Sequence, residues 1–474
     1  MSEITRVNLP YQASLLSFFS AVRDLPYPAL LDSNHEHFPD TNYDILVANP
    51  LARIHPAHNS QPITWYTTPL YALNNTSNPM TLLNELMTLI CQEPWAKAAP
   101  KDLPFIGGLL GYYGYESGHF VEQLPDTVKH DIPLDTLSVG LYAWAVITSH
   151  KEKTTQLIMA PWCTQEDAAD LINRFTSACD DVLVKHELSH TNPFSLKAPF
   201  TSNMTKAEYA QKFSAVQDYI QSGDCYQVNL AQRFSSQYQG DTFTAYHALR
   251  EVCPTPFSAY MEISPQQSLL SHSPERFLLC DQGRIESKPI KGTVARGATP
   301  EEDQANANWL LSSAKDRAEN LMIVDLLRND LGRTCLTGSI KVPALFALET
   351  YANVHHLVST VEGRIDQTDQ AIRVFHQSFP GGSITGAPKI RSMEIIDELE
   401  PHERSAYCGS IAYFSANGQM DSSITIRTLV ADHGNLHCWA GGGLVADSKC
   451  QEEYQETFTK VGKLTHTLEQ DFLK

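Results

Sequence analysis

The run Lys288-Pro289-Ile290-Lys291-Gly292-Thr293 follows the apolar segment Arg276–Cys280, a turn at Asp281-Gln282-Gly283 and a short strand over Arg284–Ser287. Pro289 fixes φ and removes a backbone donor, which places the run at a strand end or sheet edge. Gly292 permits positive φ or a close backbone approach. Lys291, between them, has two readings. A lysine beside a turn is ordinarily solvated. A lysine held in a pocket loses its proton more readily, and the neutral amine is a nucleophile. Its neighbours decide between the two.

Working outward, Pro254–Ile263 and Ser268–Leu279 read as strands leading into this run, and Glu301–Leu311 and Ala314–Leu327 as helices after it. Lys206–Gln221 is an amphipathic helix stopped at Ser222-Gly223-Asp224, and Cys225–Phe234 is a strand. Beyond the helices come segments of strand character at Gly338–Val342 and Ala352–Val361, and a helix over Gln370–Ser378. Three strands follow, with turns at Asn417-Gly418 and His433-Gly434-Asn435, and a final helix starts near Glu452. Residues 1–200 read as a separate lobe, with a helix over Tyr11–Val22, strands at Tyr27–Asp32, Tyr43–Val47 and Ile63–Tyr66, and a helix over Met80–Cys91. His186–Asn203, rich in Ser, Thr, Pro and Asn, is the linker candidate. Residues 201–474 are then the second unit.

The chain has 474 residues, 42% hydrophobic and 19% charged, with 35 basic against 54 acidic residues and a net charge of -19. Such a balance suits a globular protein and argues against nucleic acid or an anionic membrane as partner. An anionic substrate needs a local basic pocket or a metal ion here. No secretory leader and no apolar run of membrane-spanning length is read. The ten cysteines are scattered, with no C-x-x-C, as in a cytoplasmic protein with free thiols.

Several constellations carry chemistry, each with a plainer alternative. Gly381 and Gly386 have P-loop spacing, but Ala387 and Pro388 stand where Lys and Ser/Thr belong. Pro388 instead suits the first turn of a helix to Leu399, whose amides accept a carboxylate as well as a phosphate. Asp316 with Glu319, and Glu453 with Glu456, are i,i+3 acid pairs. They are either solvated faces or a Mg²⁺ site built from oxygen ligands. Lys460 is one turn beyond Glu456 and could be its exposed partner. Arg427 sits in what reads as an alternating strand, where an inward guanidinium needs an anion. Glu275 and His356 are acid/base candidates or satisfied core groups.

Taken in order, Ser273-Pro274-Glu275-Arg276, Pro289–Thr293, Ala314–Asp330, His356–Thr360, Gly381–Lys389, Ile426-Arg427-Thr428, Gly441–Ser448 and Tyr454–Lys460 resemble the chorismate-utilising enzymes. The resemblance spans about residues 205–465, with a weaker match before it. It implies an α/β fold of two large, mostly antiparallel sheets packed face to face, with helices outside. It also implies Mg²⁺ held by Glu319 and Glu456, with Asp316 and Glu453 behind water. Thr293, His356, Tyr407, Arg427, Gly442 and Lys460 would hold chorismate with the Gly386-Ala387 amides. Gln227, where relatives that add water carry a lysine base, speaks against water as nucleophile. Lys291, where anthranilate-forming relatives carry alanine, points to amination at C4, with Lys291 as nucleophile and Glu275 as acid. The rival readings are an anthranilate former and a catalytically silent binder of tryptophan or chorismate.

Two further expectations rest on the same resemblance. No glutaminase motif is read, so ammonia is expected from a separate glutamine amidotransferase subunit. Leu30-Leu31-Asp32-Ser33 and Cys253–Tyr260 resemble the segments around a tryptophan pocket in the family. A pocket able to hold L-tryptophan is therefore expected against Ser33, Asp40, Thr41, Asn42, Tyr43, Pro256, Phe257 and Ser258, in the N-terminal lobe; the plainer reading is an ordinary packed strand–loop contact.

Overall fold

The computed structural model describes residues 3–38, 41–58, 61–180, 192–351, 354–367 and 369–473. The described residues form a 13-stranded and an 11-stranded sheet, whose strand ladders all run antiparallel. Strand alternation assigns their faces. In the larger sheet, Ile45, Val47, Leu269 and Val430 point into the core shared with Ile54, Phe277, Leu278 and Ile411 of the smaller one. Leu46, Leu270, Leu429 and Ala431, one residue off in each strand, point the other way. They meet Phe18, Phe175, Phe243, Leu249 and Leu464 on helices covering the outer face. The two-sheet α/β fold expected from the sequence is the one found.

Residue 200 does not separate the sheets. Ala29–Asp32 pairs with Phe257–Ser264, and Gly108–Tyr113 pairs with Ser410–Ser415, so each sheet draws strands from both sides of it. The described part of the linker candidate is hydrogen-bonded too: Ser195–Leu196 and Thr201–Ser202 both pair with Gln227–Gln239. The helix expected over Tyr11–Val22 is only Leu16–Ser20, preceded by an edge strand over Thr5–Leu9. Propensity alone does not reveal that pairing, because Thr5–Leu9 bonds to Thr154–Met159 far along the chain.

Two features of the strand order make the site. The strand expected over Ser268–Leu279 is two strands in different sheets, Gln267–Ser273 and Arg276–Asp281, broken at Pro274-Glu275. Its neighbour breaks at the same level. Met420–Ile424 belongs to the smaller sheet and Thr428–Asp432 to the larger, with Arg427 between them at φ 51°. Ile424 N donates to Glu275 O at 3.0 Å, and His272 N to Arg427 O at 3.0 Å. Glu275 and Arg427 therefore stand where the chain passes between sheets, and neither side chain has to fit a strand face.

Candidate active site

Ile290–Ala295 pairs with Val354–Arg364, and the register slips between Ile290 and Thr293. Lys291 and Gly292 form that bulge, with Gly292 at φ 84°. A bulge re-aims a side chain that a regular ladder would hold on one face. Gly292 also leaves room for Asp316, whose Oδ1 would lie 2.9 Å from a Cβ at 292. The half-buried Lys291 amine donates to the Ser383 carbonyl at 3.0 Å. Desolvation holds its pKa below the usual lysine value, against the pull of Glu275, Glu319 and Glu456, while Lys460 pushes the same way as burial.

Glu275 is buried, and its pKa is raised by desolvation although Lys291, Ser383 and Lys460 oppose the rise. Its Oε1 has no hydrogen-bond partner among the described residues. A carboxyl that favours its protonated form thus faces an amine that favours its neutral form. Such a pairing can supply a nucleophile and an acid to one site. Thr293 Oγ1 meets His356 Nδ1 at 2.8 Å. Burial, with Arg427 nearby, lowers the His356 pKa to about 4, so the ring is neutral at physiological pH.

Arg427 corrects one expectation. It does not sit inside a strand but in the exposed break between two, with no ion pair among the described residues. Its guanidinium is open to an incoming carboxylate. Tyr407 is buried, its ring 6.3 Å from and nearly parallel to that of Trp439. Gly386-Ala387 pairs with Gln227-Val228, and the helix Lys389–Leu399 follows with Pro388 as its N-cap.

The four carboxylates lie on two helices, Ala314–Gly332 and Cys450–Phe472, within electrostatic reach of their neighbours. Desolvation raises the pKa of Glu319, and Asp316 and Glu453 add to the rise; Glu453 is likewise raised by burial and by Glu456. Mutual repulsion of this kind is what a bound cation relieves. Gly442 is the cradle beside them: a Cβ there would stand 2.8 Å from Glu453 Oε2 and 3.9 Å from Glu456 Oε1. Among the described residues no three His, Cys, Asp or Glu side chains converge as a direct metal-ligand set. The oxygen donors and the glycine beside them fit a hard cation that keeps much of its water. Lys460 donates to Gly441 O at 2.9 Å and pairs with Glu456.

Sequence reasoning missed Ser383, Ser448 and Lys315. Ser383 accepts from Lys291 through its carbonyl, and its side chain opposes the rise in the Glu275 pKa. It lies inside the Gly381–Lys389 stretch, where the glycines, Ala387 and Pro388 drew notice. Ser448 Oγ donates to Glu453 Oε1 at 2.7 Å. Lys315 is 3.9 Å from Glu319, at the i,i+4 spacing that could have revealed it.

The tryptophan-type segments also meet. Ser33, Thr41, Asn42, Tyr43, Pro256, Phe257 and Ser258 line a cavity of about 1110 Å³ that reaches Ile290. Asp40 lies outside the described residues. Asp32 is buried and bound to Arg250 Nε at 2.6 Å and Tyr246 OH at 3.2 Å, so its charge is already spoken for.

Residues 34–466 match the profile of the chorismate binding enzymes. The chain is 44% identical over 466 residues to aminodeoxychorismate synthase component 1 of Salmonella typhimurium, covering 98% of each. It is 37% identical over 372 residues to anthranilate synthase component 1 of Aquifex aeolicus, 77% of this chain and 75% of that one. Among solved structures, anthranilate synthase component I from Streptococcus pneumoniae superposes with a TM-score of 0.76 at 29% identity, over 90% of this chain and 92% of that chain.

Proposed function

The chain belongs to the chorismate-binding enzymes, and from that premise we propose that it converts chorismate and ammonia to 4-amino-4-deoxychorismate, toward p-aminobenzoate and folate. One observation carries this reading: Lys291 is placed in a bulge, with its pKa lowered, beside a Glu275 whose pKa is raised. Relatives with 44% identity that are named for this synthesis support it. An anthranilate former has no use for a nucleophilic amine at that position. A silent binder has no use for both the amine and the acid set.

Arg427 and Lys460, with neutral His356 and Thr293, orient the substrate's carboxylates and ring; Tyr407, Gly442 and the Gly386-Ala387 amides complete that surface. The neutral Lys291 amine forms a bond to ring carbon C2. The double bonds shift, and the C4–O bond breaks as Glu275 supplies the proton that lets the hydroxyl leave as water. Ammonia then bonds to C4, the shift reverses, the C2–N bond breaks, and the proton lost by the new ammonium returns to Glu275. Two easier substitutions replace one hard one. Glu319 and Glu456 would hold Mg²⁺, with Asp316 and Glu453 bonded to its waters. The ion supplies charge withdrawal at the ring carboxylate when bound.

Ammonia comes from a separate glutamine amidotransferase subunit, in keeping with relatives named as a component 1. None of the described helices is long and apolar enough to cross a membrane, and a cytoplasmic setting suits such a pairing. The purified chain, given chorismate, Mg²⁺ and an ammonium salt, should release 4-amino-4-deoxychorismate. Anthranilate as the product, or no conversion, overturns the assignment.

The large cavity favours a second ligand, L-tryptophan, with the indole against Phe257 and its polar end at Ser33 and the Pro256–Ser258 backbone. Ser33 Oγ donates to Asp44 at 2.7 Å, which leaves lone pairs toward an ammonium group.

A further inference from the structure

Arg404 is 1% exposed, is the largest fully buried side chain among the described residues, and carries a charge that none of the steps above uses. Its guanidinium makes a two-pronged pair with Glu400, Nε to Oε2 at 2.9 Å and Nη2 to Oε1 at 2.7 Å. Two further donors go to main chain: Nη2 to Asn229 O at 2.7 Å and Nη1 to Ile384 O at 3.3 Å. Glu400 Oε1 also accepts from Ala231 N at 2.8 Å. The Arg404 guanidinium lies 5.6 Å from the Tyr407 ring centroid, and Arg404 O accepts from Tyr407 N at 2.9 Å. Trp439 lies nearly parallel to that ring.

We propose that Arg404, held by Glu400, is a positioning residue. It fixes the Gly382–Ala387 segment, the start of the strand Gln227–Gln239 and Tyr407 relative to one another, and so sets the geometry that receives chorismate's carboxylates. The inference rests on the function proposed above. Ile384 lies two residues from Gly386. Asn229 faces Gly443 across the ladder, beside Gly442. A planar fork reaches a carboxylate and two carbonyls at once; a lysine, as a point donor, does not. Arg404 is buried with its guanidinium bonded to Glu400 and two carbonyls, so its loss acts through displacement of the groups around it.

Arg404→Lys separates this role from bulk stability. The expected result is a folded variant whose KM for chorismate rises about tenfold, with kcat and the KM for ammonium within about threefold of wild type. A folded variant with an unchanged chorismate KM overturns the proposal. Should R404K not fold, Glu400→Gln, which keeps the guanidinium and one acceptor, gives the same reading. If both unfold, the pair serves the fold alone and the proposal falls. No conversion of chorismate by the wild-type chain overturns the functional reading itself, whatever the variants do.

Discussion

Lys460 Nζ stands 2.7 Å from Glu456 Oε1, so a residue expected to hold the substrate's carboxylate is paired with one expected to hold the metal. Both are exposed, and such a pair is weak, on the order of 0.5 kcal/mol. It can open at little cost when each partner meets its own ligand. Binding of Mg²⁺ and of chorismate should therefore be coupled. In Lys460→Met, Glu456 is freed for the metal while the substrate loses a cation. Titration of Mg²⁺ binding without chorismate should show equal or tighter affinity, alongside a chorismate KM raised about tenfold. Weaker Mg²⁺ binding in that variant would contradict the arrangement.

Gly442 tests the acid cradle from the backbone side. A Cβ there lies 2.8 Å from Glu453 Oε2, closer than van der Waals contact allows, so Gly442→Ala must push that carboxylate away. The variant should fold, because 442 is in a strand at a site of side-chain rather than main-chain conflict. The Mg²⁺ concentration for half-maximal activity should rise by about tenfold. An unchanged Mg²⁺ requirement speaks against Glu453 in the outer shell.

Lys291→Ala should slow amination by about 10³-fold or more, the scale on which loss of a positioned catalytic group slows an enzyme. Intact-mass measurement of the wild type with chorismate alone should show an adduct, mapped to Lys291 by proteolysis. An unmodified wild-type mass together with near-normal Lys291→Ala activity would falsify the nucleophile.

The pH profile follows from the two shifts. The active form has Lys291 neutral and Glu275 protonated. Burial lowers the lysine pKa, so kcat falls on the acid side as the amine takes a proton. Burial raises the Glu275 pKa, so kcat falls on the alkaline side as the acid is lost. The profile should be bell-shaped, and Glu275→Gln should remove its alkaline limb while slowing turnover by about 10²-fold. Persistence of that limb in the variant assigns it to another group.

His376 should make the fold acid-sensitive. It is 2% exposed, neither ring nitrogen has a hydrogen-bond partner among the described residues, and burial pushes its pKa down to about 3. The unfolded chain binds its proton near pH 6.5 and the folded chain does not until about pH 3. The folded-state advantage is thus present above pH 6.5 and is lost progressively as pH falls toward 3. His376→Leu should leave the melting temperature at pH 7 equal or higher and flatten its decline between pH 6.5 and 4, a gain on the order of 1–3 kcal/mol at the acid end. An identical decline in the variant shows that other groups carry it.

Much of the candidate site is legible in the sequence because its parts are local along the chain. The two i,i+3 acid pairs each lie on one turn of helix, and Pro289 and Gly292 bracket Lys291 within four residues. Pro388 marks the start of Lys389–Leu399, and Gly223, at φ 84°, ends Lys206–Ser222 as its position predicted. Backbone sterics and helical spacing act over a few residues, so the sequence alone determines these features. What it left open was long-range. Ser268–Leu279 has the hydrophobicity of one strand, and only the packing of two sheets decides that it breaks at Pro274-Glu275. The same holds for Arg427, whose apolar neighbours alternate as in one strand although they belong to two sheets. The pairing of Lys460 with Glu456, the Arg404–Glu400 clamp and the depressed pKa of Lys291 depend on burial and on charges brought in from distant segments. Desolvation is a property of the packed interior, and no spacing of residues along the chain contains it.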